Sequence, residues 1–427
     1  MIKRVQLHVQ YRRYDYKNER DNSLNLKITL VFLNLAFLSF PLASMPLQEA
    51  LYLASTQHPS VKLKISEAQT AGHDLKTAKW SRFPTLSSEL STDSSASQRA
   101  ILIQQPVWTG GRITAQIKAA TANELVANYA IREAQNAIML QASASYFEVL
   151  RWESKLATAI RNEAEHLRLL ELIERRVKAE ISPQADRTLT AARYQQSISE
   201  RIQFTRLLDE ARIALENAVG QTVGIVELPI ALIWQSKNDL EAVDLALNYS
   251  AERQKLLQQI EVAQAQIEVN KSAWQPTVLV GIRRAAGSVP FGIEKEKAFV
   301  SVQFSPGPGL SAKSTVESAL SRVENARSSV AVLDKQLEYR VKSGVSELRS
   351  LSAQLDPAKA LSGATLEVVD SYLRQYQIAR KNWLDVLNAQ RERSQALYNL
   401  ADTETNIAAL NVRLMLLTGQ VTPENLN

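Results

Sequence analysis

The chain has 427 residues, a formal net charge of +6 and no cysteine, which excludes disulfides, thiolate metal sites and a lipidated N-terminal cysteine. Its positive charge is concentrated at one end: residues 1–27 hold seven Lys/Arg against three Asp/Glu, so the remainder carries only about +2. With no basic face in the rest of the chain, nucleic acid is not an expected partner.

Residues 1–44 read as a secretory signal peptide with a long n-region. Ile28–Phe40 is an apolar run behind Lys27, and Ala43-Ser44 offers small residues for cleavage. The run is shorter than the roughly 20 residues a spanning helix needs. A buried core helix or a short anchor is the alternative, and a start near Leu24 or Leu26 also fits. From Pro46 to about Arg82 the apolar residues recur at helical spacing, with a break expected at His58-Pro59. Pro84–Asp93 and Gln98–Val107 read as two strands joined by a Ser-rich turn at Ser94, Ser95 and Ser97. After Gly110-Gly111 no proline occurs from Arg112 to Ala179, which predicts a helix on the order of 100 Å long. Ser182-Pro183 then predicts a fresh start, with Ser182 as N-cap and Pro183 at the first helical position, running to Val219.

A linker at 221–238 leads to a second pass through the same order. A helix is expected over Asp239–Ser272 and strands near Pro276–Ala286 and Lys297–Pro306. A long helix then spans Ser311–Ala379, kinked at Pro357, and a last one Trp383–Thr418. The copies coincide at an offset of 199 residues: Gly110 with Gly309, Asp186 with Asp385, Leu215 with Leu414, Gly220-Gln221 with Gly419-Gln420. The organisation is therefore a first repeat at 45–220, the linker, a second repeat at 239–420 and a tail at 421–427.

The strands alternate. Ala298, Val300, Val302 and Phe304 fall on one face of the last strand, Ser301, Gln303 and Ser305 on the other. This fits a membrane barrel with a wet lumen, and equally a half-buried soluble sheet. Trp80, Trp108 and Trp274 each stand where a strand meets a helix, as an aromatic girdle at a bilayer edge requires; simple end-capping of the sheet also places them there. His8, His58, His73 and His166 are scattered without metal-ligand spacing, and no phosphate loop or nucleophile motif occurs. No catalytic residue, cofactor or metal site is expected.

Several segments resemble the TolC-type outer-membrane channel proteins of efflux pumps and type I secretion systems. They are Leu47-x-Glu49-Ala50-Leu51 with His58-Pro59, Gln105-Pro106-Val107-Trp108-Thr109-Gly110-Gly111, Gly220-Gln221, and the stretch from Tyr376 through Ala379-Arg380-Lys381-Asn382-Trp383-Leu384-Asp385 to Gln390. The resemblance covers about Leu47 to Gln420, and the last segment is most similar to members that export large adhesins. It implies a mainly α fold with a membrane β-barrel: a homotrimer in the cell outer membrane with a periplasmic extension. Each protomer would give four strands to a shared twelve-stranded barrel and its coiled-coil helices to a periplasmic tunnel. It also implies contact with outer-membrane lipid and partnership with a periplasmic adaptor and an inner-membrane transporter.

At the tunnel's closed end, the resemblance implies a gate. Asp186 and Tyr376 match the pair linking neighbouring coiled coils, Lys381 a basic partner, and Asp385 an acidic ring at the constriction. Asn388 stands where a second carboxylate is usual. Trp383 lies at a tip that meets the adaptor or simply packs. Glu180 and Ala379 replace the family's usual glycines before the tips. Two other readings are an adaptor, which would have one helical hairpin and no duplication, and an enzyme, for which the motifs are missing.

Overall fold

The computed structural model describes residues 45–426, apart from 94–95, 228, 230–232, 237 and 287–294. The expected leader at 1–44 and the Ser94-Ser95 portion of the first turn lie outside the described residues. The elements are α1 (Leu47–Gln57), α2 (Pro59–Trp80), β1 (Thr85–Asp93), β2 (Ala96–Trp108), α3 (Arg112–Lys178) and α4 (Gln184–Val219). Then follow α5 (Asp239–Tyr249), α6 (Ala251–Lys271), β3 (Thr277–Ala286), β4 (Glu296–Gln303), α7 (Ala312–Gln377) and α8 (Trp383–Thr418).

The duplication is structural. Leu47 and Asp239, Pro59 and Ala251, Thr85 and Thr277 open equivalent elements 192 residues apart; Gln184 and Trp383 do so 199 apart. The seven-residue difference falls between β3 and β4, a longer connection than that between β1 and β2.

His58 breaks α1 from α2 as expected. Pro59 bars it from the helical region, and its Nδ1 accepts the Ser60 N–H at 3.2 Å to start α2. In the second copy a single helix over Asp239–Ser272 was expected, but it is divided at Ser250. That residue leaves helical geometry (ψ 109°) without a proline, and its Oγ accepts the Arg253 N–H at 3.2 Å. Another correction concerns Ser182: α4 begins at Gln184, with Pro183 at the N-cap position, and Ser182 lies outside the helix.

The four strands form one antiparallel sheet in the order β1-β2-β3-β4, so among the described residues β1 and β4 have free edges. The register pairs Leu86 with Ile103, Ile103 with Ile282, and Ile282 with Ala298. Leu86, Leu90, Ile101, Ile103, Val280, Ile282, Val300 and Val302 therefore share one face, and all are exposed. The opposite face carries Ser87, Glu89, Gln104, Arg283, Lys297, Ser301 and Gln303. On it Phe299 lies over Gly281, where a Cβ would meet the ring at 2.7 Å and the Ile103 carbonyl at 2.8 Å. The pair is a close backbone approach that only glycine permits.

The helices supply the buried core. α3 pairs with α4, and α7 with α8, as two long hairpins. Their largest cluster joins α1, α3, α4, the end of α8 and the linker through Leu51, Met139, Tyr146, Phe147, Leu215 and Leu416. Each such side chain contributes roughly 1.5–3 kcal/mol. The Tyr146 hydroxyl lies 2.9 Å from the Met45 carbonyl and 2.6 Å from the Glu227 carbonyl, tying the linker to α3. Burial pushes that phenol up to about 12. Among the described residues, no helix is long and apolar enough to cross a membrane.

Candidate functional site at the hairpin tips

Each hairpin reverses through the same five-residue turn. In the first, the Glu180 N–H donates to the Val177 carbonyl (3.0 Å) and the Ile181 N–H to the Arg176 carbonyl (2.9 Å). In the second, Ala379 donates to Tyr376 (3.1 Å) and Arg380 to Gln375 (2.9 Å). Glu180 and Ala379 take φ of 59° and 58°, so the left-handed turn survives without glycine.

The two turns are held together. Leu169, Ile173, Tyr376, Trp383, Val386 and Leu387 form a separate buried cluster, with Tyr376 and Trp383 rings 4.8 Å apart. Trp383 is 1% exposed, and its Nε1–H donates to Thr190 Oγ1 at 2.5 Å. It packs inside the tip, so it presents no surface to a partner in this conformation. The apolar side chains exposed at the tips are instead Ile181, Ile378 and Leu384.

Tyr376 links the hairpins, but through a residue other than the expected one. Its hydroxyl lies 2.8 Å from Ser182 Oγ, which also accepts from Arg176 Nε at 3.3 Å. The Arg176 guanidinium stacks 4.8 Å over the Tyr376 ring. The Asp186 carboxylate makes no hydrogen bond or ion pair among the described residues. The reason is legible by comparing repeats. Asp385 Oδ2 accepts the Asn382 N–H at 3.3 Å, closing back on its own helix start. In the first copy Pro183 stands in the place of Asn382 and has no N–H to offer. Desolvation raises the Asp186 pKa above the ordinary carboxylate value, as for a carboxylate with no compensating partner.

Asp385 has a second neighbour, Lys381, whose Nζ is 3.9 Å from Oδ2 and 4.3 Å from the Tyr372 ring centroid. Asn388 follows one turn later on α8, half-buried. Lys381 and Asp385 are therefore together, and Tyr376 and Trp383 are together, whereas Asp186 stands apart from both pairs.

At the other end of the helices, Trp80 closes α2, Trp108 ends β2, and Trp274 lies in a 3₁₀ turn before β3. All three are exposed, Trp80 by 68% with its ring 5.0 Å from that of Phe83. Among the described residues no group of His, Asp or Glu could hold a metal ion.

No protein-family model and no curated protein sequence matches this chain. Solved structures do resemble it. The outer membrane protein VceC of Vibrio cholerae is 17% identical, with 87% of this chain and 96% of that chain covered and a TM-score of 0.75. A membrane protein of Pseudomonas aeruginosa is 15% identical over 87% and 90%, also with a TM-score of 0.75. The open state of the Neisseria gonorrhoeae outer membrane channel MtrE is 14% identical over 87% and 88%, with a TM-score of 0.71. Two long helical hairpins in tandem, each fed by a strand pair of one sheet, are thus the fold of the TolC-type outer-membrane channels, and this chain has that fold.

Proposed function

We propose that the protein is a trimeric outer-membrane channel-tunnel, a passive exit duct with no chemistry of its own. It serves an inner-membrane transporter through a periplasmic adaptor, in an efflux pump or a type I secretion system. The observation that carries this reading is the sheet. One face carries an uncovered band of Leu, Ile and Val, interrupted by Arg99, Gln105, Arg284 and Glu296; the other carries Glu89, Arg283, Lys297, Ser301 and Gln303 beside Phe299; and among the described residues both edges are free. A bilayer accepts such strands only when every backbone group is paired, which four strands cannot achieve alone. Three copies close a barrel with the apolar band toward lipid and Glu89, Arg283 and Lys297 toward water. The tryptophans at the helix–strand junctions then sit at the membrane's periplasmic edge.

At the far end three tips converge. Asp385 carboxylates around one axis repel each other, raising their pKa or recruiting a cation, and Asn388 halves the charge of that lining. Asp186, whose carboxylate has no hydrogen-bond or ion-pair partner among the described residues, bonds a neighbouring protomer. Ile181, Ile378 and Leu384 give the adaptor an apolar contact.

The absence of cysteine makes the barrel testable. Single cysteines on the two free edges, Ser88→Cys in β1 with Ala298→Cys, Val300→Cys or Val302→Cys in β4, are oxidised in isolated outer membranes. At least one pairing yields covalent dimers and trimers. Monomer from every pairing, or protein released by salt or osmotic shock, overturns the proposal.

A further inference from the structure

About 18–24 Å above the first tip, at 1.5 Å per residue along α3 from Lys178 to His166 and Asn162, the seam between the hairpins becomes polar and buried. The Asn162 Oδ1 on α3 accepts from Gln390 Nε2 (3.1 Å) and Ser394 Oγ (2.7 Å) on α8. Beside this knot lies a cavity of about 50 Å³ whose lining includes His166, Arg193, Glu200, Arg391 and Tyr398. His166 is 5% exposed, Gln390 2% and Tyr398 8%. Four buried atoms here have no hydrogen-bond partner among the described residues: His166 Nδ1, Arg193 Nε, Gln390 Oε1 and the Tyr398 hydroxyl. Leaving each such group unsatisfied is costly.

The chemistry of the four identifies what completes them. Arg193 Nε only donates and Gln390 Oε1 only accepts, while the phenol and the imidazole do either. No simple anion or cation serves such a mixture; water does. The volume exceeds the roughly 10–15 Å³ one water needs.

We propose that this cavity holds ordered water, and that it makes the seam a proton-sensitive hinge in which charging of His166 releases α8 from the α3–α4 hairpin. The charged and titratable groups around the imidazole come from all three helices: Glu165 on α3, Arg193 and Glu200 on α4, Arg391 and Tyr398 on α8. Burial, and next the Arg193 cation, hold the imidazole below its usual value of 6.5, against a smaller opposing effect of Glu165. Burial pushes the Glu200 carboxyl up, which weakens it as a counter-ion. A buried imidazolium in the closed seam therefore lies beside a guanidinium. Parting α8 from α3 and α4 relieves this at the expense of the Asn162 bonds. The dry tip cluster lies below the seam and the dry main cluster above it, so the wet stretch between them is where the hairpins yield first.

The sign follows from proton counting. The open seam binds a proton with an ordinary histidine pKa, the closed seam with a lower one. Closure is complete above about pH 6.5 and is lost as pH falls toward the lowered value, by up to roughly tenfold per pH unit.

Hydrogen exchange on the full-length protein in detergent, from about pH 7 to about pH 5 and corrected for intrinsic rates, tests this. Opening of α8 at residues 390–398 rises by up to tenfold per pH unit in wild-type protein, and stays flat in His166→Gln. A flat wild-type profile, or an equal rise in His166→Gln, overturns the hinge. If that variant fails to assemble, the wild-type profile together with Tyr398→Phe decides. Tyr398→Phe leaves the imidazole in place and keeps the pH dependence; its loss there moves the effect away from His166. A high-resolution structure with no ordered water between His166 Nδ1 and Gln390 Oε1 overturns the hydration. The exchange readout does not depend on the duct reading, whose own failure appears as absence of a trimer.

Discussion

Glu180 and Ala379 hold a backbone conformation that glycine adopts freely and other L-residues adopt at about 1–2 kcal/mol each. Leu310 does the same at φ 59°, in the position that Gly111 fills in the first repeat. Glu180→Gly with Ala379→Gly removes that backbone cost and adds some freedom to the unfolded chain. The pair is expected to stabilise the tips by about 1 kcal/mol, read as a higher denaturant midpoint for the helical signal. A lower midpoint would show that the side chains contribute something at the turn. Asp385 has two separable tasks, closing its own helix start and supplying charge. Asp385→Asn keeps an acceptor for the Asn382 N–H, so stability is expected to change by less than about 0.5 kcal/mol. If the proposed trimer brings three Asp385 carboxylates to one axis, removing their charge is expected to weaken divalent block in planar bilayers. Asp385→Ala is expected to do both, losing roughly 1 kcal/mol as well. Block unchanged in both variants takes Asp385 out of the constriction.

At the scale of elements, α7 runs unbroken through Pro357, which deprives the Ala353 carbonyl of its i+4 donor. Pro357 is exposed, so Pro357→Ala is expected to stabilise α7 by about 2–3 kcal/mol, seen as slower amide exchange around residues 353–357. Faster or equal exchange would mean that the helix is already adapted to the proline. Most elements were legible because their signals are local: Pro59 after His58, alternation in β4, the long proline-free stretch of α3, and Gly220 and Gly419 as left-handed helix stops. Ser250 was missed because a serine that turns the chain by capping the next helix looks like any polar helix residue. The candidate site was legible in its positions but not in its bonds. That Trp383 turns inward onto Thr190, that Tyr376 chooses Ser182, and that Pro183 leaves Asp186 unpaired among the described residues depend on how two hairpins meet. His166 was dismissed for lack of metal spacing; its burial among polar groups from three helices is a tertiary property that spacing does not encode.

For the whole molecule, the decisive physical fact is incompleteness. A four-stranded sheet with an exposed apolar band and, among the described residues, two open edges is not a finished structure in water or in lipid. The helices by contrast are well packed among themselves, with separate clusters at the tips, the middle and the sheet end. What is missing is therefore more sheet, which further copies of the chain would supply in units of four strands. The most direct test is the mass of the full-length protein extracted in detergent from isolated outer membranes, measured by native mass spectrometry. A stable trimer is the expected result. A monomer in the soluble periplasmic fraction would contradict the barrel, and with it the duct.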